Sequence, residues 1–167
     1  MPNNTLHLVK AKSEDIPGIA RLAHIVWHQH YPSIISTDQI NYMLDMMYSD
    51  KSLNEQMNIK GHVFYFIKQE EKNIGFIAVS KIENRDSGYF IHKFYLDQTL
   101  SGKGSGTEAH NELVKLLKPS LMRLTVNRQN YKSINFYFKN GFKIESVADF
   151  DIGNGYVMND FVMTWNK

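Results

Sequence analysis

Three glycines at alternate positions form the part of the sequence best suited to chemistry. Gly102, Gly104 and Gly106 follow a stretch typical of a β-strand and precede one typical of an amphipathic helix. Glycine lets backbone N–H groups approach an anion closely, and a helix N-terminus adds partial positive charge. Lys103 adds a full charge. The arrangement favours phosphate binding over the simpler alternative, a surface turn without a ligand.

The spacing of these glycines excludes two common phosphate-binding loops. A Walker loop ends in Gly-Lys followed by Ser or Thr after a four-residue gap, and that pattern is absent. A dinucleotide fingerprint is Gly-x-Gly-x-x-Gly near the start of a parallel unit. Here the spacing is Gly-x-Gly-x-Gly, and it comes late in the chain after strands predicted to be antiparallel.

Composition excludes several other kinds of function. The 167 residues contain no cysteine, which excludes thiolate nucleophiles, disulfides and Cys-ligated metal. A net charge of +2 is too small to indicate a nucleic-acid partner. No apolar run is long enough to cross a bilayer, and no secretion signal is visible, so we expect no membrane partner and a cytoplasmic location. His24 and His28 are four residues apart, but they lack a third ligand, so no metal is predicted.

The hydrophobic pattern predicts a single domain over residues 1–167 with an α/β (α+β) fold and a mixed sheet. A doubly wound parallel fold is excluded, because helices come first and a strand meander follows. Predicted strands are Thr5–Ala11, His62–Lys68, Ile74–Ile82, Tyr89–Leu96, Leu121–Val126 and two between residues 142 and 165. Predicted helices begin at N-caps Ser13 and Ser36, near Ser52, at Thr107 and at Asn130.

A second segment, further along the chain, gives the glycine turn a family context. Residues 101–106 resemble the Gln/Arg-x-x-Gly-x-Gly/Ala pattern of the GNAT acetyltransferase superfamily, except that Ser101 stands at the first position. Asn127, Asn130, Ser133-Ile134, Phe136-Tyr137 and Gly141-Phe142 look like that family's Asn-x-x-Ala-x-x-Phe-Tyr-x-x-x-Gly-Phe segment. The resemblance covers most of the chain. It implies a mostly antiparallel sheet of six or seven strands, about four flanking helices, and a splay between strands 4 and 5.

The resemblance also implies an enzyme, an acetyl-CoA-dependent N-acetyltransferase, and roles for particular residues. The pantetheine arm would bind the backbone of Phe94, Tyr95 and Leu96, and the pyrophosphate would bind Gly102, Lys103, Gly104, Ser105, Gly106 and Thr107. Asn130 would contact the cofactor, and Tyr137 would protonate the departing thiolate, unless its ring is only part of the core. The absence of cysteine favours direct attack in a ternary complex.

The general base is left open by the sequence. Some family members carry a carboxylate at the position of Thr125. His92 lies two residues before Phe94, which predicts that both side chains share one face of the strand. An unperturbed imidazole suits proton removal near neutral pH. A half-buried structural histidine, Glu83 and a chain of water molecules are the alternatives.

Two further segments indicate the acceptor. Residues 27–32 and 149–158 look like those of the PaiA-like spermine/spermidine acetyltransferase branch, which implies a small-molecule amine acceptor, such as a polyamine. Trp27 and Tyr31 would stack on its methylenes or ammonium groups. Asp149, Asp151 and Asp160 would attract a polycation, unless they are ordinary hairpin residues. A protein N-terminal or lysine acetyltransferase, a non-catalytic acyl-CoA sensor and a homodimer also remain open.

Overall fold

A seven-stranded sheet in the order β1-β2-β3-β4-β5-β7-β6 organises the protein in the computed structural model, which describes residues 5–167. The strands are β1 His7–Lys10, β2 Val63–Gln69, β3 Lys72–Lys81, β4 Gly88–Leu96, β5 Leu121–Asn127, β6 Lys143–Gly153 and β7 Tyr156–Asn166. The helices are α1 Ile16–His30, α2 Thr37–Tyr48, α3 Asp50–Asn58, α4 Ser105–Leu117 and α5 Tyr131–Lys139.

Every neighbouring pair of strands is antiparallel except β4 and β5, which are parallel. The predicted mixed, mostly antiparallel sheet is therefore confirmed. It has seven strands, the higher of the two numbers expected. The described residues form five α-helices, one more than the resemblance implied. They include the short helix predicted near Ser52, which is α3 and is nine residues long. That the whole chain is one domain stays a prediction.

Capping side chains fix where most of the helices begin. Ser36 accepts a hydrogen bond from the N–H of Gln39 at 3.1 Å, as predicted. α3 begins at Asp50, three residues earlier than a cap at Ser52 implies, because Ser49 is its cap. The prediction for Ser13 was also wrong: it opens a 3₁₀ turn that precedes α1, and the Asp15 carboxylate there accepts the Lys12 N–H at 2.7 Å.

Two apolar clusters cover the two faces of the sheet. On one face, α1, α2 and α3 bury residues such as Trp27 and Leu53 against Phe64 and Phe76. On the other face, α4 and α5 pack on the central strands, and the fully buried side chains include those of Ala109, Leu113, Met122 and Met163. The sheet is thus a rigid layer between two groups of helices, and the gap described below opens at its centre.

Candidate active site

The parallel strands β4 and β5 separate partway along their length. Their pairing begins where Gly88 lies opposite Leu121 and ends where Ile91 lies opposite Leu124. Beyond that point β4 continues to pair with β3 as far as Leu96, and β5 continues to pair with β7. The edge of β4 that faces β5 is therefore open along Phe94, Tyr95 and Leu96. This is the predicted splay between strands 4 and 5, and it is confirmed.

Two cavities meet at this gap. The larger, about 430 Å³, is lined by Leu96, the glycine turn and the start of α5. The smaller, about 220 Å³, is lined by residues of α1, α2, β4, β5 and β7. Three residues line both cavities: Phe94, Ser133 and Tyr137. Tyr137 therefore stands where a group bound in one cavity would meet a group bound in the other.

The glycine turn forms one wall of the larger cavity. Gly102, Lys103 and Gly106 line it, as does Ser101. α4 begins at Ser105, two residues before the predicted start at Thr107, because Gly104 caps the helix with φ of 88°. The buried hydroxyl of Ser105 accepts the Gly102 N–H at 3.0 Å, which closes the turn. The first-turn N–H groups that follow cannot bond within the helix and remain suited to an anion.

Gly106 allows α4 to approach α5 closely. A Cβ at this position would lie 2.8 Å from Cε2 of Phe136, which also lines the larger cavity. Gly106→Ala should therefore lower the free energy of unfolding by about 1–3 kcal/mol through overpacking, measured by urea denaturation. Gly102→Ala is the matched control, since its nearest neighbour would be 3.9 Å away. Equal stability of the two variants would contradict the close packing of Gly106 against Phe136.

The C-terminal end of α1 holds the end of β4 in place. Gln29 donates to the Asp97 carboxylate at 2.8 Å and accepts the Gln98 N–H at 2.9 Å. Nε2 of His30 bonds to the Leu96 carbonyl at 3.1 Å, and burial lowers the pKa of this imidazole. The sequence analysis did not assign these contacts. Their effect is to fix the geometry of the open edge beside the larger cavity.

Four aromatic side chains pack together beside the smaller cavity. Trp27 is 1% exposed, its ring centroid lies 4.2 Å from that of Tyr31, and its indole N–H donates to the Tyr48 hydroxyl at 3.2 Å. The hydroxyls of Tyr31 and Tyr95 are 2.8 Å apart, and burial raises the pKa of Tyr31 to about 12. Both Trp27 and Tyr31 contribute to the cavity wall. The Trp27 ring, however, is enclosed by protein, so the structure gives no support to stacking on an acceptor.

His92 does not share a face with Phe94, and that prediction was wrong. β4 carries a bulge there, because Val79 pairs with Ile91 and Ala78 pairs with Lys93. The bulge breaks the two-residue alternation on which the prediction depended. Nε2 of His92 hydrogen-bonds to Ser80 Oγ at 2.7 Å.

The environment of His92 also weakens it as a base. Burial, followed by the charges of neighbouring His62 and Lys93, lowers the pKa of His92 to about 3. The His62 ring stacks on it with centroids 3.8 Å apart. An imidazole with so low a pKa accepts protons poorly from an ammonium group. The alternative Glu83 lies in the exposed turn between β3 and β4, next to the end of β4 that is far from Leu96.

Lys93 is a buried cation that the sequence analysis missed. Its Nζ donates to Gln56 Oε1 at 2.6 Å and lies 5.4 Å from the ring centroids of both Tyr48 and Phe64. Burial lowers the pKa of Lys93 to about 8. The Lys93 side chain lies on the face of the sheet covered by α2 and α3, opposite that of Phe94.

Asp160 is a buried carboxylate in the wall of the smaller cavity. It lies on β7 opposite Asn127 of β5, and it is 6% exposed. No hydrogen-bond partner of its Oδ1 occurs among the described residues. Burial raises the pKa of Asp160 to about 6, and hydrogen bonding to Thr125 and the charge of Arg128 oppose the rise.

A mixed sheet that opens between two parallel strands, with a glycine-capped helix on one side of the opening, defines an acyltransferase of the GNAT type. The sequence pattern described as the Acetyltransferase (GNAT) family matches residues 20–142. The chain belongs to this family and is an N-acetyltransferase. No helix within residues 5–167 has the length and apolar character needed to span a membrane. The described part of the chain holds no group of three His, Asp or Glu side chains suited to a metal ion.

Individual relatives place the chain in one branch of the family. It is 29% identical over 154 residues to the spermidine N(1)-acetyltransferase of Thermoplasma acidophilum, covering 88% of this chain and 94% of that one. The structure of the PaiA N-acetyltransferase of the same organism, in complex with coenzyme A, matches with a TM-score of 0.78 and 27% identity over 98% of this chain and 99% of that chain. The predicted PaiA-like branch is supported.

A more distant structure shows the fold alone. A GCN5-related N-acetyltransferase from Rhodopseudomonas palustris matches with a TM-score of 0.78 at 16% identity, over 100% of this chain and 99% of that chain. The overall fold is thus shared with a chain of low sequence identity. The homodimer, the cytoplasmic location and the absence of nucleic-acid and membrane partners stay predictions.

Proposed function

We propose that this protein transfers the acetyl group of acetyl-CoA to a primary amine of a polyamine, by direct attack in a ternary complex. The observation that carries the proposal is the meeting of two cavities at Phe94, Ser133 and Tyr137. One cavity is bordered by a helix N-terminus suited to an anion, and a buried carboxylate lines the other. The spermidine acetyltransferase relative and the structure that holds coenzyme A support the choice of both substrates.

The larger cavity fits the polar and extended parts of acetyl-CoA, which supplies an activated thioester when bound. The turn from Gly102 to Thr107 would hold the pyrophosphate through backbone N–H groups other than that of Gly102, which is bonded to the Ser105 hydroxyl. Ser101 is too short to replace the expected Gln or Arg. Lys103 and Lys132 line the same cavity and add positive charge. The open backbone edge from Phe94 to Leu96 would bind the pantetheine arm as an additional strand.

Asn130 contributes to this site by positioning α5. Its Oδ1 accepts the Ser133 N–H at 3.3 Å, which caps the helix that carries Tyr137. Asn130 is itself buried and lines the smaller cavity. We therefore propose that it acts mainly through the helix, in addition to any contact with the cofactor.

Tyr137 is suited to protonate the thiolate that leaves. Burial raises the pKa of its hydroxyl above the ordinary value, so the group is protonated and able to donate at neutral pH. The same burial makes a thiolate beside it a stronger base, because the charged form loses hydration. The transfer of this proton prevents the reverse attack of the thiolate on the product.

The smaller cavity fits an alkyl amine. Four methionines line it, and their flexible apolar side chains suit a methylene chain: Met43, Met46, Met47 and Met158. Its volume of about 220 Å³ and its wall of helix side chains favour a slender acceptor over a folded protein. Asp160 supplies negative charge to the same wall.

The test is a survey of acceptors with acetyl-CoA, in which release of CoA and the acetylated product are both measured. We expect turnover of spermidine and spermine and little turnover of peptides that offer an N-terminus or a lysine. Turnover of peptides without polyamines would instead indicate a protein acetyltransferase. Saturable CoA binding without any acetylated product would indicate a sensor.

A further inference from the structure

The three aspartates of the C-terminal hairpin are in different environments. Asp149 is 58% exposed at its side chain and forms an ion pair with Arg128 at 2.9 Å. Asp151 is exposed and accepts the N–H of Gly153 at 2.9 Å. Asp160 alone of the three is buried in the wall of the smaller cavity and has a carboxylate oxygen without a partner in the described structure.

We propose that Asp160 is the general base of the acetyl transfer and binds the ammonium group of the acceptor through its free Oδ1. This inference rests on the proposed function, since it assigns a role within the same site. An unpartnered oxygen in a buried wall is costly unless a ligand supplies the missing hydrogen bond. An ammonium group has three donors and a positive charge, so it can supply the missing hydrogen bond and also offset the charge of the buried carboxylate.

The sheet explains how this carboxylate reaches the reacting groups. Asp160 lies on β7, the strand that pairs with β5, two residues from Val162, which pairs with Thr125. Thr125, Tyr137 and Asp160 all line the smaller cavity. Asp160 and Tyr137 therefore border the same space.

The proton balance of the reaction is complete with these two residues. Oδ1 of Asp160 takes one proton from the ammonium group, and the neutral nitrogen attacks the thioester carbonyl. The C–N bond forms as the C–S bond breaks. Tyr137 gives its proton to the sulfur and regains one from the acetylated nitrogen, directly or through water. Asp160 then releases its proton to solvent, so one proton is released in each turnover.

The charges around Asp160 leave it ionised but unusually basic. Burial raises its pKa to about 6, the charge of Asp149 adds to the rise, and Arg128 and the Thr125 hydrogen bond oppose it. Lys93 lines the same cavity but is bonded to Gln56. His92 also lines it, and its pKa of about 3 keeps it neutral over this interval. The hydroxyls of Tyr31, Tyr95 and Tyr137 remain neutral because burial raises their pKa values. Asp160 therefore loses its proton as the pH rises past about 6, and the rate should rise over the same interval.

The same pKa predicts an opposite effect on stability. Because the pKa of Asp160 is higher in the folded state than in the unfolded chain, its contribution to stability is greatest at low pH. That contribution is lost as the pH rises from the unfolded value toward about 6. Asp160→Asn should abolish this loss. We therefore expect the variant to fold and, at pH 8, to resist urea at least as well as the wild type.

The experiment compares the wild type, Asp160→Asn and the control Asp86→Asn, whose side chain is exposed in the turn between β3 and β4. We expect Asp160→Asn to lower kcat/KM for spermidine by about 10²- to 10⁴-fold and to remove the rise in rate near pH 6. Trifluoroethylamine, which is already neutral at pH 7, needs no base before attack. The rate of acetylation of trifluoroethylamine should therefore fall much less in Asp160→Asn. CoA affinity, measured by calorimetry, should be unchanged.

Each result has a defined meaning. Unchanged turnover of spermidine in Asp160→Asn, with the pH profile intact, would overturn the role of Asp160 and leave the proposed function standing. An equal loss with spermidine and trifluoroethylamine would overturn proton removal, since both acceptors would then need the carboxylate only for geometry. A wild-type enzyme that acetylates no amine would overturn the proposed function, and the role of Asp160 with it.

Discussion

Tyr137→Phe lowers kcat by about 10²- to 10⁴-fold while the affinity for CoA stays the same, if the hydroxyl protonates the leaving thiolate. The substitution removes one oxygen and leaves the ring. The ring packs against Phe136 and Phe142 with centroids 5.3 Å away, and these contacts are kept in the variant. A loss of activity therefore reports on the hydroxyl rather than on the fold. We expect kcat and kcat/KM to fall together, because the interaction is made mainly in the transition state.

Tyr131→Phe is the matched control for that experiment. Tyr131 lies at the start of the same helix, and 70% of it is exposed. Its loss of a hydroxyl should change kcat little. Initial rates with acetyl-CoA and spermidine, together with calorimetric titration of CoA, measure all the quantities needed. If Tyr137→Phe turns over as fast as the control, the acid role belongs to another group, and the ring of Tyr137 serves only to separate the two cavities.

Signals between residues close together in the sequence were sufficient to predict much of the fold. The Ser36 cap predicts the start of α2, because capping involves residues only three positions apart. The glycine turn likewise predicts a helix N-terminus after a strand, and Gly104 occupies the left-handed conformation that such a turn needs. The hairpin of β2 and β3 follows from two apolar runs separated by a polar turn. Each of these features depends on neighbours in the chain.

Features that depend on contacts distant in sequence could not be predicted in the same way. The bulge at His92 is visible only in the pairing of β4 with β3, and it moves His92 to the face opposite that of Phe94. The free oxygen of Asp160 depends on β5 and on the helices that bury the cavity. In the sequence, Asp160 is indistinguishable from Asp149 and Asp151, because charge alone does not show which carboxylate will be enclosed.

Trp27→Ala should lower the free energy of unfolding by about 3–5 kcal/mol, the usual cost of truncating a large buried aromatic side chain. The indole is surrounded by the rings of Tyr31, Tyr48 and Tyr95, with centroids 4.2 to 6.0 Å away. Its removal leaves a cavity among them and deprives the Tyr48 hydroxyl of its donor. Urea denaturation followed by circular dichroism measures the change. Ile25→Ala on the same helix is the control, because Ile25 is exposed and should cost far less.

A second variant, Trp27→Phe, distinguishes between two roles for Trp27. If the ring is structural, Trp27→Phe should recover much of the stability, because a smaller aromatic ring fills part of the cavity. Its KM for spermidine should then stay close to that of the wild type. If the ring instead stacks on the acceptor, as the sequence suggested, Trp27→Phe should raise KM while stability changes little. The enclosure of the indole on several sides leads us to expect the first result, since a ring covered by protein has no face left for a ligand.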